Sequence, residues 1–216
     1  MNAAAFEGLV TALVRDDDGR LSPGEVSGAL ELVINRYNSQ RPLEVIEDLQ
    51  VGANFVIETP ESWIPKRSRI CSIEYPVGNH RPTYINEDFY YVYDLPAADV
   101  ELRLVPGTAT VGSEVRVAYT TNHTSAETFH DDDCEALAYL GASILCDQLA
   151  SIYGHQSDSS VQADSVEHGD KGRLFASRAR DFRARYEIKF GKPTSTQAAS
   201  TVVTVNSRSR PGMYHR

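Results

Sequence analysis

The sequence predicts an α+β fold: a small helical bundle, an antiparallel β module inserted into it, and an extended C-terminal arm. Apolar residues recur at helical spacing near the N-terminus, alternate with a period of two in the middle of the chain, and then return to helical spacing. The end of the chain is rich in Ser and Thr and has no acidic residue. We therefore assign the bundle to residues 1–50 and 122–190, the β module to residues 51–121 and the arm to residues 191–216.

Two helices are predicted in the first segment. Residues 2–14 suit a short helix, and a second helix is predicted from Pro23 to Asn38. Its apolar side chains form one stripe: Val26, Ala29, Leu30, Val33 and Tyr37. Ser22 and Glu25 flank this helix start as a capping box, with proline at the first helical position.

The acidic turn before the second helix, "DDDGRLSPGE", invites comparison with a calcium loop. With Gly19 at the sixth position of an EF-hand loop, four oxygen-bearing residues fall at ligand positions: Asp16, Asp18, Ser22 and Glu25. The first ligand position, however, is Val14, which has no side-chain oxygen. Because a turn and a helix cap explain the same residues, we predict no calcium site here.

The middle of the chain is predicted to form short antiparallel strands, which are residues 70–75, 89–95, 100–104 and 114–119. The last two alternate between apolar and polar residues, and the first two are rich in β-branched and aromatic residues. Six of the eleven tyrosines fall between Tyr75 and Tyr119. Packing within the sheet is the favoured explanation for them, and an aromatic-lined sugar site is the alternative.

Two further helices are predicted after the β module. The first begins at residue 131 and places apolar residues along one side: Cys134, Leu137, Ala138, Gly141, Leu145, Leu149 and Ile152. After a polar loop at 154–165, the last helix covers about 166–189, and its buried stripe is Phe175, Ala179, Phe182 and Tyr186.

Histidines and aspartates cluster where the first of these two helices begins. Asp131, Asp132 and Asp133 occupy its first turn, where the helix dipole favours negative charge. His123 and His130 precede them, so a metal site is an alternative. Adjacent residues cannot all face one ion, however, and we predict no metal.

The charge is divided unequally along the chain. Residues 1–165 hold 10 Lys and Arg against 26 Asp and Glu, whereas residues 166–216 hold 11 against 4. The basic end either has its own partner, a nucleic acid or an acidic protein surface, or neutralises the acidic body, including that of a neighbouring copy.

Several classes of protein are not favoured by the sequence. It has no run of about 18 apolar residues, so we expect no membrane span, and we expect no signal peptide. Three cysteines (Cys71, Cys134 and Cys146) suit reduced thiols in a cytoplasmic setting. There is no glycine-rich phosphate loop, nucleophile elbow, HExxH or CxxC motif, and we predict neither an enzyme nor a cofactor.

Five stretches, taken in order, carry a resemblance to a known family: "DDDGRLSPGEVSGALELVINRY", "SIEYPVG", "VRVAYTTNHT", "DCEALAYLGASILCDQLASIYG" and "ADSVEHGDKGRLFASRARDFRARYE". They span most of residues 16–190, and their order resembles that of head-to-tail connector (adaptor) proteins of tailed bacteriophages. The resemblance implies a ring of about twelve copies in the neck of the virion, assembled in the host cytoplasm. The ring would lie between the portal protein and a tail or tail-completion protein. Genomic DNA would pass through its lumen without specific binding.

The resemblance also implies that the arm reaches the portal. Our candidate portal-binding residues are Val202, Val203, Val205, Arg208, Arg210, Met213, Tyr214 and Arg216. Within the ring, a basic helix meeting the acidic face of the next copy would set the orientation of the subunits. The candidates for this subunit interface are Arg178, Arg180, Arg183 and Arg185.

Two other functions remain open from the sequence. The β module is suited to a carbohydrate- or protein-binding sandwich on a helical stalk. Glycan binding by a monomeric or trimeric protein would favour this function. The basic helix and arm also suit a small nucleic-acid-binding accessory protein, which a steeply salt-dependent DNA affinity would favour.

Overall fold

The structure is a computed structural model that describes residues 1–94, 100–156 and 162–192. Within these residues, four α-helices and two small antiparallel sheets form the predicted α+β fold. Two helices precede the strands and two follow them. Of the arm predicted at residues 191–216, residues 193–216 lie outside the described residues.

All four predicted helices are present, and their bounds are α1 (Ala3–Val14), α2 (Pro23–Gln40), α3 (Asp131–Gln156) and α4 (Gln162–Phe190). The capping box of α2 is also confirmed. Ser22 Oγ accepts a hydrogen bond from the Glu25 N–H at 3.3 Å, and Glu25 Oε2 accepts one from the Ser22 N–H at 2.7 Å. The chain therefore enters α2 as its local sequence predicts.

Helix α3 is the centre of the bundle, and the other three helices pack against it. Both α1 and α2 approach α3 closely at Gly141, since a Cβ atom there would be 3.1 Å from Val10 Cγ1 and 3.5 Å from Val33 Cγ2. By length and composition alone, α3 is apolar enough to cross a membrane. More than half of that stretch is buried inside the bundle, and core helices commonly have such a composition.

Six strands form the β module: β1 (Leu43–Gln50), β2 (Val56–Ile57), β3 (Ile70–Glu74), β4 (Tyr90–Asp94), β5 (Val100–Leu104) and β6 (Glu114–Thr121). One sheet has the order β1-β6-β3 and the other has the order β2-β5-β4, and every pairing within them is antiparallel. The four predicted strands are present as β3 to β6.

The boundary predicted at residue 51 needs correction, because β1 lies before it. This strand pairs with β6 from Leu43↔Thr121 to Gln50↔Glu114 and so belongs to the β module. Its side chains alternate between half-buried and exposed, but the exposed Ile46 interrupts the apolar period in the sequence. The two-residue strand β2 is too short to give a periodic signal.

The bundle and the β module have separate cores. Leu137, Leu145 and Leu149 of α3 are fully buried among residues of the other helices. Buried residues of the strands, such as Ile73 and Val117, form a second cluster. Each part of the molecule therefore has apolar packing of its own.

Candidate functional site

The surface of α4 that points away from the bundle is the first candidate site. The predicted stripe of Phe175, Ala179, Phe182 and Tyr186 is buried, as expected. The opposite side, which we name the outward face of α4, consists of exposed residues: Arg173, Leu174, Ser177, Arg180, Asp181, Ala184 and Ile188. Leu174 is 56% exposed and Ile188 is 85% exposed.

Five residues of the outward face, with the charged Asp181 at their centre, follow a heptad spacing. Leu174, Ser177, Asp181, Ala184 and Ile188 are separated alternately by three and four residues. This spacing keeps one seam of a helix facing a partner helix. This seam was not predicted from the sequence, since the basic residues around it dominate the composition of α4.

Two of the predicted interface arginines make contacts inside the chain. Arg178 Nη2 donates a hydrogen bond to the Leu13 carbonyl oxygen at 2.7 Å, near the end of α1. Arg183 Nη2 pairs with Asp147 Oδ2 of α3, also at 2.7 Å. These arginines hold α4 to its neighbours within the bundle.

The other two predicted interface arginines differ from each other. The guanidinium carbon of Arg185 lies 5.3 Å from the ring centre of Tyr139, in a cation–π contact. Arg180 is exposed and has no ion pair within the described part of the chain. Of the four candidates, Arg180 is therefore the best placed to meet another molecule.

A buried carboxylate joins the ends of three helices. Asp133, at the start of α3, is fully buried. Its Oδ2 accepts a hydrogen bond from the Tyr37 hydroxyl and pairs with Arg41 Nη1, both at 2.9 Å. Its Oδ1 pairs with Lys189 Nζ of α4 at 2.9 Å. We name these four residues the Asp133 cluster.

The partners of Asp133 keep its carboxyl group ionised. Burial raises the pKa of Asp133, but the contacts with Lys189 and Tyr37 and the charge of Arg41 outweigh burial, and the pKa lies below its usual value. In addition to its predicted interaction with the helix dipole, Asp133 therefore links α3 to the ends of α2 and α4.

His123 contributes to the junction between the bundle and the β module. Its Nδ1 lies 2.7 Å from Thr128 Oγ1 and its Nε2 lies 3.0 Å from the Arg41 carbonyl oxygen. Burial lowers the pKa of this imidazole, which favours its neutral form. His130, by contrast, is exposed. Among the described residues, no group of three His, Cys, Asp or Glu side chains is arranged to hold a metal ion.

The acidic turn before α2 ties the N-terminal segment to the bundle. Asp16 Oδ2 accepts a hydrogen bond from the Leu21 N–H at 2.8 Å. Asp18 Oδ2 accepts one from the Tyr153 hydroxyl at 2.5 Å and one from Lys171 Nζ at 3.0 Å. These bonds lower the pKa of Asp18. With Ser22 and Glu25 held in the capping box, all four carboxylate and hydroxyl candidates for calcium are thus engaged with protein groups.

A groove on the β module is a second candidate site, which the sequence analysis did not predict. Its volume is about 610 Å³. Trp63, Lys66 and Arg69, which precede β3, contribute to one side, and Tyr90 and Val92 of β4 contribute to the other. The only sequence signal for it was the aromatic run that contains β4.

The candidate portal-binding residues, Val202 to Arg216, lie outside the described residues. The place where the chain leaves the bundle is described, however. Phe190, the last residue of α4, has its ring centre 6.2 Å from that of Tyr37 and 5.7 Å from the guanidinium carbon of Arg41. The arm therefore starts beside the junction of the bundle and the β module.

Comparison of the sequence with models of protein families finds no match. Comparison with curated proteins also finds no match. Proposals about the function therefore rest on the surfaces described above and on the resemblance carried by the sequence.

Proposed function

We propose that this protein is a head-to-tail connector (adaptor) of a tailed bacteriophage, a structural protein of the virion. About twelve copies would form a ring between the portal and the tail and extend the DNA channel. The outward face of α4 is the observation that carries the proposal, because it leaves two large aliphatic side chains, Leu174 and Ile188, exposed at heptad positions of a folded bundle.

The exposure of Leu174 and Ile188 favours contact with a second chain. Full burial of a large aliphatic side chain contributes roughly 1.5–3 kcal/mol, and a monomer leaves most of this unrealised at Ile188 and about half of it at Leu174. Two modest cores also give each subunit limited stability, and burial between subunits adds to it.

Charge supports a contact between different faces of neighbouring copies. Arg173 and Arg180 outweigh Asp181 and give the outward face of α4 a net positive charge, whereas residues 1–165 are strongly acidic. A basic face on one copy and an acidic face on the next give a heterologous contact, and such a contact closes into a ring when the rotation allows it.

Replacing both Leu174 and Ile188 by Asp should prevent ring formation without unfolding the subunit. Both side chains are exposed, so the melting temperature should change little. Sedimentation velocity, with and without portal protein, should give ring-sized particles for the wild type and monomers for the variant. Val111→Asp, at an exposed apolar residue of the β module, is the matched control. Equal assembly of the double variant and the wild type would refute this role of α4.

Truncation after Gly191 should abolish stable joining to portal-bearing, DNA-filled heads. The arm has four basic residues, no acidic ones and the strand-like stretch "STVVTV". A segment of this composition is suited to become ordered when it binds an acidic surface of a partner. The melting temperature should stay nearly unchanged because Tyr186, the last fully packed residue of α4, is retained. Co-sedimentation with such heads measures the joining, and docking of the truncated chain at wild-type level would show that the arm is dispensable.

A further inference from the structure

Strand β4 is an exposed edge with apolar residues on both of its faces. Among the described strands it pairs only with β5, from Tyr90↔Leu104 to Asp94↔Val100. Phe89, Tyr91, Val92 and Tyr93 are each between 42% and 48% exposed. Proteins usually protect such an edge with charges, proline or a covering segment, because it is a template for pairing with another chain.

The backbone of β4 has hydrogen-bonding groups that point away from the sheet. The Val105 N–H donates to the Phe89 carbonyl oxygen at 2.8 Å, which fixes the alternation along the strand. Tyr91 therefore bonds toward β5, whereas the N–H and C=O groups of Tyr90 and Val92 face outward. In the part of the chain that the structure describes, no backbone group pairs with them on that side.

The groove lies beside this edge and has a basic rim. Lys66 and Arg69 line it and are exposed, and neither forms an ion pair within residues 1–94, 100–156 and 162–192. One carboxylate, that of Glu87, also lines the groove, so its lining carries a net positive charge. A positive patch on an otherwise acidic body favours an anionic partner.

Trp63 gives the groove an aromatic wall. This residue is only 8% exposed, and its buried indole N–H has no hydrogen-bond acceptor among the described residues. An aromatic wall, a basic rim and an open strand edge together match the recognition of an extended peptide.

We propose that this groove binds an extended, carboxylate-bearing segment of a partner protein, which adds to β4 as an additional strand. Main-chain hydrogen bonds to Tyr90 and Val92 would give affinity, and ion pairs with Lys66 and Arg69 would select acidic side chains. The chain's own arm has no acidic residue and is disfavoured by the same charges. The groove goes beyond the proposed ring contact and would bind whether or not a ring forms.

The single tryptophan of the chain makes the test direct, because Trp63 lines the groove. Three synthetic peptides serve as probes: one alternating valine and glutamate, one alternating valine and lysine, and one copying residues 199–206. Titration of the full-length protein with the acidic peptide should shift the Trp63 emission and reach saturation. The other two peptides should leave the emission unchanged over the same range.

Variants separate the charges from the strand edge. Lys66→Asn with Arg69→Gln should raise the Kd of the acidic peptide at least about fivefold at low salt. Asn is chosen because Lys66 has a φ of 66°, a conformation that Asn tolerates. Arg67→Gln, in the same loop but outside the groove lining, is the matched control and should bind like the wild type.

Val92→Pro tests the edge itself. Proline removes the outward N–H of Val92 and leaves the ladder to β5 in place, so the acidic peptide should no longer bind while the melting temperature stays close to that of the wild type. Val92→Ala keeps the N–H and should bind. Three outcomes would overturn the proposal. The first is no response to the acidic peptide, and the second is an equal response to all three peptides. The third is wild-type affinity in both the charge variant and Val92→Pro.

Discussion

Replacing Leu145 by Asp should unfold the helical bundle while the β module keeps its structure. Leu145 is fully buried at the centre of α3, among residues of the other helices. An ionised carboxylate there has no partner, so its burial is costly, and the packing of Leu145 is lost as well. Together these two losses exceed the 5–15 kcal/mol that typically stabilises a domain. Val33→Asp, at another fully buried position, should have the same effect.

Two optical signals distinguish the bundle from the β module. Far-UV circular dichroism reports the helices, and Trp63 fluorescence reports the β core, to which that residue belongs. The Leu145→Asp protein should lose most of its helical signal but keep the emission of a buried tryptophan. Leu174→Asp, at the exposed leucine of α4, is the control and should match the wild type in both signals. Unchanged melting of Leu145→Asp would mean that the core is misassigned, and joint loss of both signals would mean that the two cores unfold as one unit.

Replacing Asp133 by Ala should destabilise the protein by about 1–3 kcal/mol, the usual cost of leaving a buried polar group without its partner, because Arg41 and Lys189 are partly exposed and water can solvate them. The substitution leaves the Tyr37 hydroxyl buried without its acceptor and removes the common partner of Arg41 and Lys189. Chemical denaturation at neutral pH measures the loss. Asp132→Ala, at the exposed neighbouring position, should change the free energy of unfolding by less than about 0.5 kcal/mol.

The same carboxylate makes stability depend on pH. Its pKa is lower in the folded protein than the ordinary value of 3.8, so the unfolded chain binds the proton more tightly. The stabilisation is fully present above that ordinary value and is lost as the pH falls through the lower pKa of the folded state. Between neutral pH and pH 3, Asp133→Asn should therefore lose less stability than the wild type. Parallel loss in the two proteins would show that other groups control the acid transition.

The sequence by itself predicted what short-range energetics control. The capping box of α2 involves residues only three positions apart, and the stripes of α2 and α4 follow from the 3.6-residue helical period. The change to a period of two marked the β module between the helices. These features depend on neighbours along the chain, so a single sequence is enough to recognise them.

Only the tertiary structure decided which distant residues meet. Strand β1 pairs with β6, which lies at the other end of the β module in the sequence. Because Ile46 interrupts the apolar period of β1, neither the strand nor its partner could be inferred from the sequence. The Tyr37 hydroxyl reaches Asp133 across 96 residues, which turns an apparent helix-dipole aspartate into a buried ion-pair centre.

The same distinction between local sequence and tertiary packing applies to the candidate sites. The basic character of α4 was visible in the sequence, but the fold pairs Arg178 with Leu13 and Arg183 with Asp147 and leaves Arg180 without an ion pair among the described residues. The groove needs a loop and an edge strand more than twenty residues apart to lie side by side. Local periodicity fixes which face of an element is apolar, whereas packing between elements decides which groups are paired and which remain open to another molecule.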